Sequence, residues 1–186
     1  MKKLIAILML CVSMQAFAAE VGGVKFEDSV QVGGAPLVLN GAGIRSAVFW
    51  DVYAAGLYLT GKKNSSEAVL ADADAKRFEF YVMKENDTRH FLESIRKGIA
   101  RNYKEQEVAA FGERLNALDK MFAGNEKLRK SEVINFDWVP GDGTHVSLGG
   151  KELGKIEGAD FYKALLSIWI GDKPAKDKLK KELLGG

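Results

Sequence analysis

The sequence predicts an α+β domain, with a mainly antiparallel sheet and helices massed on one face. Two observations carry this. Alternating or continuous apolar runs fill the first half of the chain and return near residue 134, separated by Gly and Pro turn signals. Apolar residues at three- and four-residue spacing mark helices between and after them. The 186 residues fit one domain, and 47% hydrophobic with 28% charged residues is an ordinary globular balance, which excludes disordered, collagen-like and disulfide-stapled classes.

The N-terminus reads as a secretory leader. Lys2 and Lys3 precede an apolar run, Leu4 to Met14, and Ala16-Phe17-Ala18 supplies small residues for cleavage after Ala18. The run is shorter than the ~20 residues of a spanning helix, so no stable membrane anchor is expected after cleavage. The expected product is a single domain, residues 19–186, exported across the inner membrane to the periplasm. Loss of two lysines leaves 27 − 2 = 25 Lys+Arg against 25 Asp+Glu. That neutrality, with no basic cluster, argues against nucleic acid as a partner. Cys11 leaves with the leader, and with it every possible disulfide, thiol nucleophile or Cys metal ligand.

Along the mature chain, Val24 to Glu27, Ser29 to Val32 and Leu37 to Leu39 read as strands, and Gly41-Ala42-Gly43 as a further break. Ile44 to Leu59 is apolar at nearly every position and predicts one central strand covered on both faces, with Gly56 marking a close approach or bend. Phe78, Phe80 and Val82 alternate with polar residues in another strand. Asp87 or Thr88 caps a helix carrying Phe91, Leu92, Ile95 and Ile99. A second helix is expected from Glu105 to Phe122. Ile134, Phe136 and Trp138 then form a strand that turns through Pro140 to Gly143 into Thr144 to Leu148. A short strand at Glu152 to Ile156 precedes a helix from Asp160 to Ile170, ended by Gly171. Pro174 opens a last, basic and solvated helix, Lys176 to Leu184.

Most enzyme signatures are missing. His90 and His145 lie far apart with no metal-ligand spacing, there is no G-x-S-x-G elbow or P-loop, and Gly41-Ala42-Gly43 lacks the rest of a dinucleotide fingerprint. No metal and no cofactor is implied. Arg45 differs, because it opens an otherwise apolar strand, and a guanidinium placed inside needs an anionic or strongly accepting partner. Tyr53, at even offset, shares its face. One reading pairs Arg45 with an acid at a sheet edge and leaves Tyr53 in the core. The other places both at the mouth of an apolar slot suited to a carboxylate or phenolate head with a greasy body.

Gly41-Ala42-Gly43-Ile44-Arg45 followed by Asp51 to Leu59 (DVYAAGLYL), with Phe161 to Gly171 (FYKALLSIWIG) and Pro174, resembles the signatures of the chalcone isomerase fold family. In its bacterial secreted branch the members are termed chalcone isomerase-like. The element order agrees from about Val24 to Leu184. The resemblance implies an open-faced β-sandwich, a large sheet with a helical layer and a ligand cleft between them. It contains enzymes that close a chalcone to a flavanone and non-catalytic relatives that bind fatty acids.

Carried over by residue, the resemblance matches the family's arginine with Arg45, while Tyr53 stands where the enzymes keep a threonine. It puts His90 and Lys97 where the enzymes carry Tyr and Asn on the first helix, and Ile168 where they carry a hydroxyl residue. Of these polar positions only the arginine is retained, and Arg45 with Tyr53 looks like the pair of the fatty-acid-binding relatives. On a straight strand their eight-residue separation spans ~26 Å, so a shared ligand requires the chain to bend between them.

The expected function is therefore a periplasmic binder of a small apolar or amphipathic ligand such as a fatty acid, with Arg45 on the head group and Phe49 or Trp50 lining the slot. The alternative is an isomerase (intramolecular lyase) in which Arg45 stabilises a phenolate and Tyr53 orients a carbonyl or donates a proton. A third reading fills the cleft with the protein's own side chains.

Overall fold

The computed structural model describes residues 19–186, and the expected leader, residues 1–18, lies outside them. In chain order the elements are β1 (Ala19–Val21), β2 (Val24–Phe26), β3 (Ser29–Val32), β4 (Ala35–Ser46), β5 (Asp51–Leu59), α1 (Ser66–Ala71), β6 (Lys76–Val82), β7 (Asn86–Asp87) and α2 (Thr88–Asn102). There follow α3 (Glu105–Ala110), α4 (Gly112–Phe122), β8 (Lys127–Leu128), β9 (Val133–Val139), β10 (Gly143–Leu148), β11 (Lys151–Ile156), α5 (Ala159–Ile170) and α6 (Asp177–Leu183).

Seven strands form one sheet in the order β11-β10-β9-β6-β5-β4-β3, and every pairing in it is antiparallel. The α+β prediction is met. The main core lies between the front of this sheet and the helices: alternate residues of β5 and β6, such as Leu57 and Phe78, face Ile95 and Ile99 of α2 and Leu165 and Trp169 of α5. The β1–β2 hairpin covers part of the back, where Phe26 is fully buried with Ala54. Gly56 is the close approach the sequence suggested, since a Cβ there would stand 2.8 Å from the Phe26 ring. Among the described residues, no helix is long and apolar enough to cross a membrane.

Four expectations need correction. Ile44 to Leu59 is not one strand: it breaks at Ala47–Trp50, and β4 and β5 lie antiparallel as a hairpin. The turn holds no Gly, Pro or Asn, so its residues read as strand; the Ala47 N–H donating to the Trp50 carbonyl at 2.8 Å closes it. Gly41-Ala42-Gly43 is not a break but the middle of β4, and its glycines admit α6. A Cβ on Gly43 would lie 2.9 Å from Leu179 Cδ1, and one on Gly41 2.8 Å from the Leu183 carbonyl oxygen. Consequently α6 is not merely solvated, because Leu179 and Leu183 are fully buried. The expected helix from Glu105 to Phe122 divides at Phe111, whose N–H donates to the Val108 carbonyl at 3.1 Å in a tightened three-residue turn and whose buried ring packs edge-on against Tyr103 and Phe161.

Candidate functional site

The hairpin break builds the site. Register places Arg45 directly opposite Tyr53, and a bulge follows at Arg45/Ser46, which tightens the local twist before the turn. Both side chains point to the helical face, where the guanidinium carbon of Arg45 lies 6.0 Å from the centre of the Tyr53 ring. Packing holds that ring in place. It lies 4.1 Å from the Phe80 ring, and its hydroxyl accepts a hydrogen bond from Trp169 Nε1 at 2.8 Å. Trp169 in turn stacks on Phe78 at 3.9 Å. Burial pushes the Tyr53 phenol up to about 12, the Trp169 hydrogen bond and the charges of Arg45 and Arg101 opposing the shift only in part.

α2 supplies the other wall. Asp87 caps it by accepting from the Arg89 N–H at 2.8 Å. Phe91 and Ile95 face the core, and the neighbouring stripe of Ser94, Lys97 and Arg101 reaches the same opening. Gly98 brings the helix close to α5, since a Cβ there would stand 2.7 Å from Ile168.

Between these elements lies a cleft of about 630 Å³, within the usual range for small-ligand sites. Val52, Tyr53, Phe80, Phe91, Ile168 and Trp169 give it an aromatic and aliphatic interior, while Arg45, Lys97 and Arg101 supply positive charge at its opening. Among the described residues, no Asp, Glu, His or Cys lines it. Lys97 pairs with Glu93 at 2.7 Å along the exposed face of α2, whereas Arg45 and Arg101 form no ion pair with any described residue. This is a greasy pocket with cationic donors at its entrance and no internal counter-charge.

Four of the expected site residues, Arg45, Tyr53, Lys97 and Ile168, meet at this cleft. Phe49 and Trp50 do not line it: the turn carries them to the hairpin tip, where they are exposed. His90 does not line it either, because the first turn of α2 directs it to solvent. Arg101 escaped the sequence reading, although it follows Lys97 by one helical turn. Trp169 escaped it too, although a buried indole N–H beside Ile168 needs an acceptor.

A larger cleft of about 730 Å³ on the far side of α2 is lined by both signs of charge, and Arg96 there is already paired with Asp119 at 2.5 Å. His145 sits on the back of the sheet, its ring nitrogens 2.7 Å from Asp142 and 3.0 Å from Glu152. Among the described residues, no group of three or more His, Cys, Asp or Glu is placed to hold a metal.

The fold is similar to that of a solved Arabidopsis thaliana fatty-acid binding protein, with a TM-score of 0.68 at 16% sequence identity over 87% of this chain and 92% of that one. No curated protein sequence matches the chain. The family model described as chalcone isomerase-like matches residues 18–185, and by that match the chain belongs to the chalcone isomerase-like family.

Proposed function

We infer that this chain binds a small amphipathic carboxylate, such as a fatty acid, in the cleft between β4, β5, α2 and α5, and does so in the periplasm after loss of residues 1–18. One observation carries the reading: among the described residues, Arg45 and Arg101 have no counter-ion at the mouth of an apolar cleft that no carboxylate lines. A half-buried guanidinium is best satisfied by an anion that accepts more than one of its N–H groups. The acyl chain of such a guest would displace water from Phe80, Phe91, Ile95 and Ile168. The similar plant protein, named for fatty-acid binding, points the same way.

Residue chemistry favours binding over turnover. Among the described residues the cleft is lined by no Asp, Glu, His or Cys to move a proton near neutrality, and burial, which pushes the Tyr53 phenol up to about 12, keeps it from serving as a base there. Mass spectrometry of lipids released from natively purified protein, joined to a titration with a fluorescent long-chain fatty acid, tests the reading. Co-purified carboxylate and saturable binding support it. An empty protein with no binding in the titration refutes it. Cell fractionation that finds the protein in the cytoplasm would refute the assigned compartment alone.

A further inference from the structure

The tip of the β4–β5 hairpin is apolar and uncovered. Val48 is 87% exposed, Phe49 83% and Trp50 50%, three consecutive large side chains that a monomeric soluble protein ordinarily avoids presenting together. They follow Arg45 and precede Val52, both of which line the cleft, so the tip stands beside its mouth. Cations flank it on the cleft side. Lys84 lies 3.4 Å above the Trp50 ring, and Arg45, at the cleft mouth, has no paired acid among the described residues. Asp51, the acid at the turn, accepts from the Ser46 hydroxyl at 2.6 Å.

We propose that Val48, Phe49 and Trp50 insert into the surface of an anionic lipid bilayer and hold the cleft mouth against it, so that the ligand passes between bilayer and cleft. The proposal rests on the cleft being a lipid-binding site. An aromatic wedge with Lys84 against it and Arg45 at its base matches the interfacial region of a membrane, where Trp and Phe bury their rings and cations meet lipid phosphates.

Vesicles of phosphatidylethanolamine and phosphatidylglycerol, with phosphatidylcholine vesicles for comparison, provide the test. The protein is expected to co-sediment with the anionic vesicles and to release them as salt is raised. Trp50 fluorescence should shift to the blue and be quenched by brominated lipid; Trp138 and Trp169, 8% and 2% exposed, start buried. The double variant Phe49→Ser/Trp50→Ser should lose about tenfold or more in vesicle affinity, with unchanged melting and unchanged fatty-acid affinity in vesicle-free buffer. Equal vesicle binding by the variant, no binding by the natural chain, or a tip-dependent dimer in its place would each overturn the proposal. Failure of fatty-acid binding in free solution, with vesicle binding intact, would instead remove the cleft reading.

Discussion

Arg45 and Tyr53 face each other across the β4–β5 ladder, the guanidinium carbon 6.0 Å from the centre of the phenol ring, although they lie eight positions apart in the chain. Cross-strand partners have Cβ atoms about 5 Å apart, so one bound head group can touch both. The tyrosine is fixed by Trp169 and Phe80, while the arginine has no acidic partner among the described residues. The pair thus joins a rigid polar landmark to a charge available for a guest.

Arg45→Ala should weaken binding of a long-chain carboxylate by about 1.5–3 kcal/mol, the usual worth of a charge-assisted hydrogen bond. Arg101→Ala should cost less, because Arg101 is exposed to solvent and Arg45 is half-buried. Calorimetry with the acid and its methyl ester checks this. Equal losses for acid and ester would show that the arginines act through packing and not through charge.

Tyr53→Phe removes the acceptor of the buried Trp169 indole N–H. An unsatisfied buried donor costs about 1–3 kcal/mol, so the variant should melt at lower temperature while its secondary structure stays intact. A melting curve superimposable on that of the natural chain would mean that the indole finds another acceptor.

Stability should fall in alkali. Burial raises the phenol of Tyr53 to about 12 and also raises those of Tyr58 and Tyr162 above the ordinary value of 10. The folded chain therefore holds more protons than the unfolded chain once the pH exceeds about 10, and stability drops as the pH climbs through 12. Tyrosinate absorbance followed beside circular dichroism should show these phenols ionising together with unfolding. Ionisation of all five tyrosines before any loss of structure would contradict it.

Asn40→Ala should destabilise the whole domain. Asn40 is the extra residue of the β4 bulge, and its Nδ2 donates to the Lys63 carbonyl at 2.9 Å and the Leu183 carbonyl at 2.7 Å. Its Oδ1 accepts the Lys63 N–H at 2.7 Å. Removing this clamp strands buried backbone groups, and a loss of about 2–4 kcal/mol is expected in urea titration. A loss below about 0.5 kcal/mol, the range of ordinary surface substitutions, would show that water replaces it.

Gly43→Ala tests the docking of α6. Its methyl group would crowd Glu182 and stand 2.9 Å from Leu179, so the helix must shift, at about 1–3 kcal/mol. Hydrogen exchange should quicken in α6 before it quickens in α2; uniform protection would count against a local effect.

Much of this architecture was legible because each element carried its own period. Phe78, Phe80 and Val82 alternate through β6, and Phe91, Leu92, Ile95 and Ile99 stripe α2, so burial pattern and sequence pattern coincide there. What escaped was set by partners remote in sequence. The turn at Ala47–Trp50 has no turn residue and holds through a backbone hydrogen bond and the ladder on either side. Gly41 and Gly43 look like a break until α6, some 140 residues on, lies against them. α1 buries only Val69, leaving no apolar stripe to read, although Ser65 caps it by accepting from the Ala68 N–H. At the site, Arg45 was visible as a charge in an apolar run, whereas Arg101 on exposed α2 was one cation among many.

The bond from Asn40 to Leu183 spans 143 positions, nearly the full length of the described chain. It ties the strand that displays Arg45 to α6, a helix remote from it in the chain. Fraying of α6 would therefore free β4 on the stretch just before Arg45, so a helix that lends no residue to the cleft governs how firmly one of its walls is held.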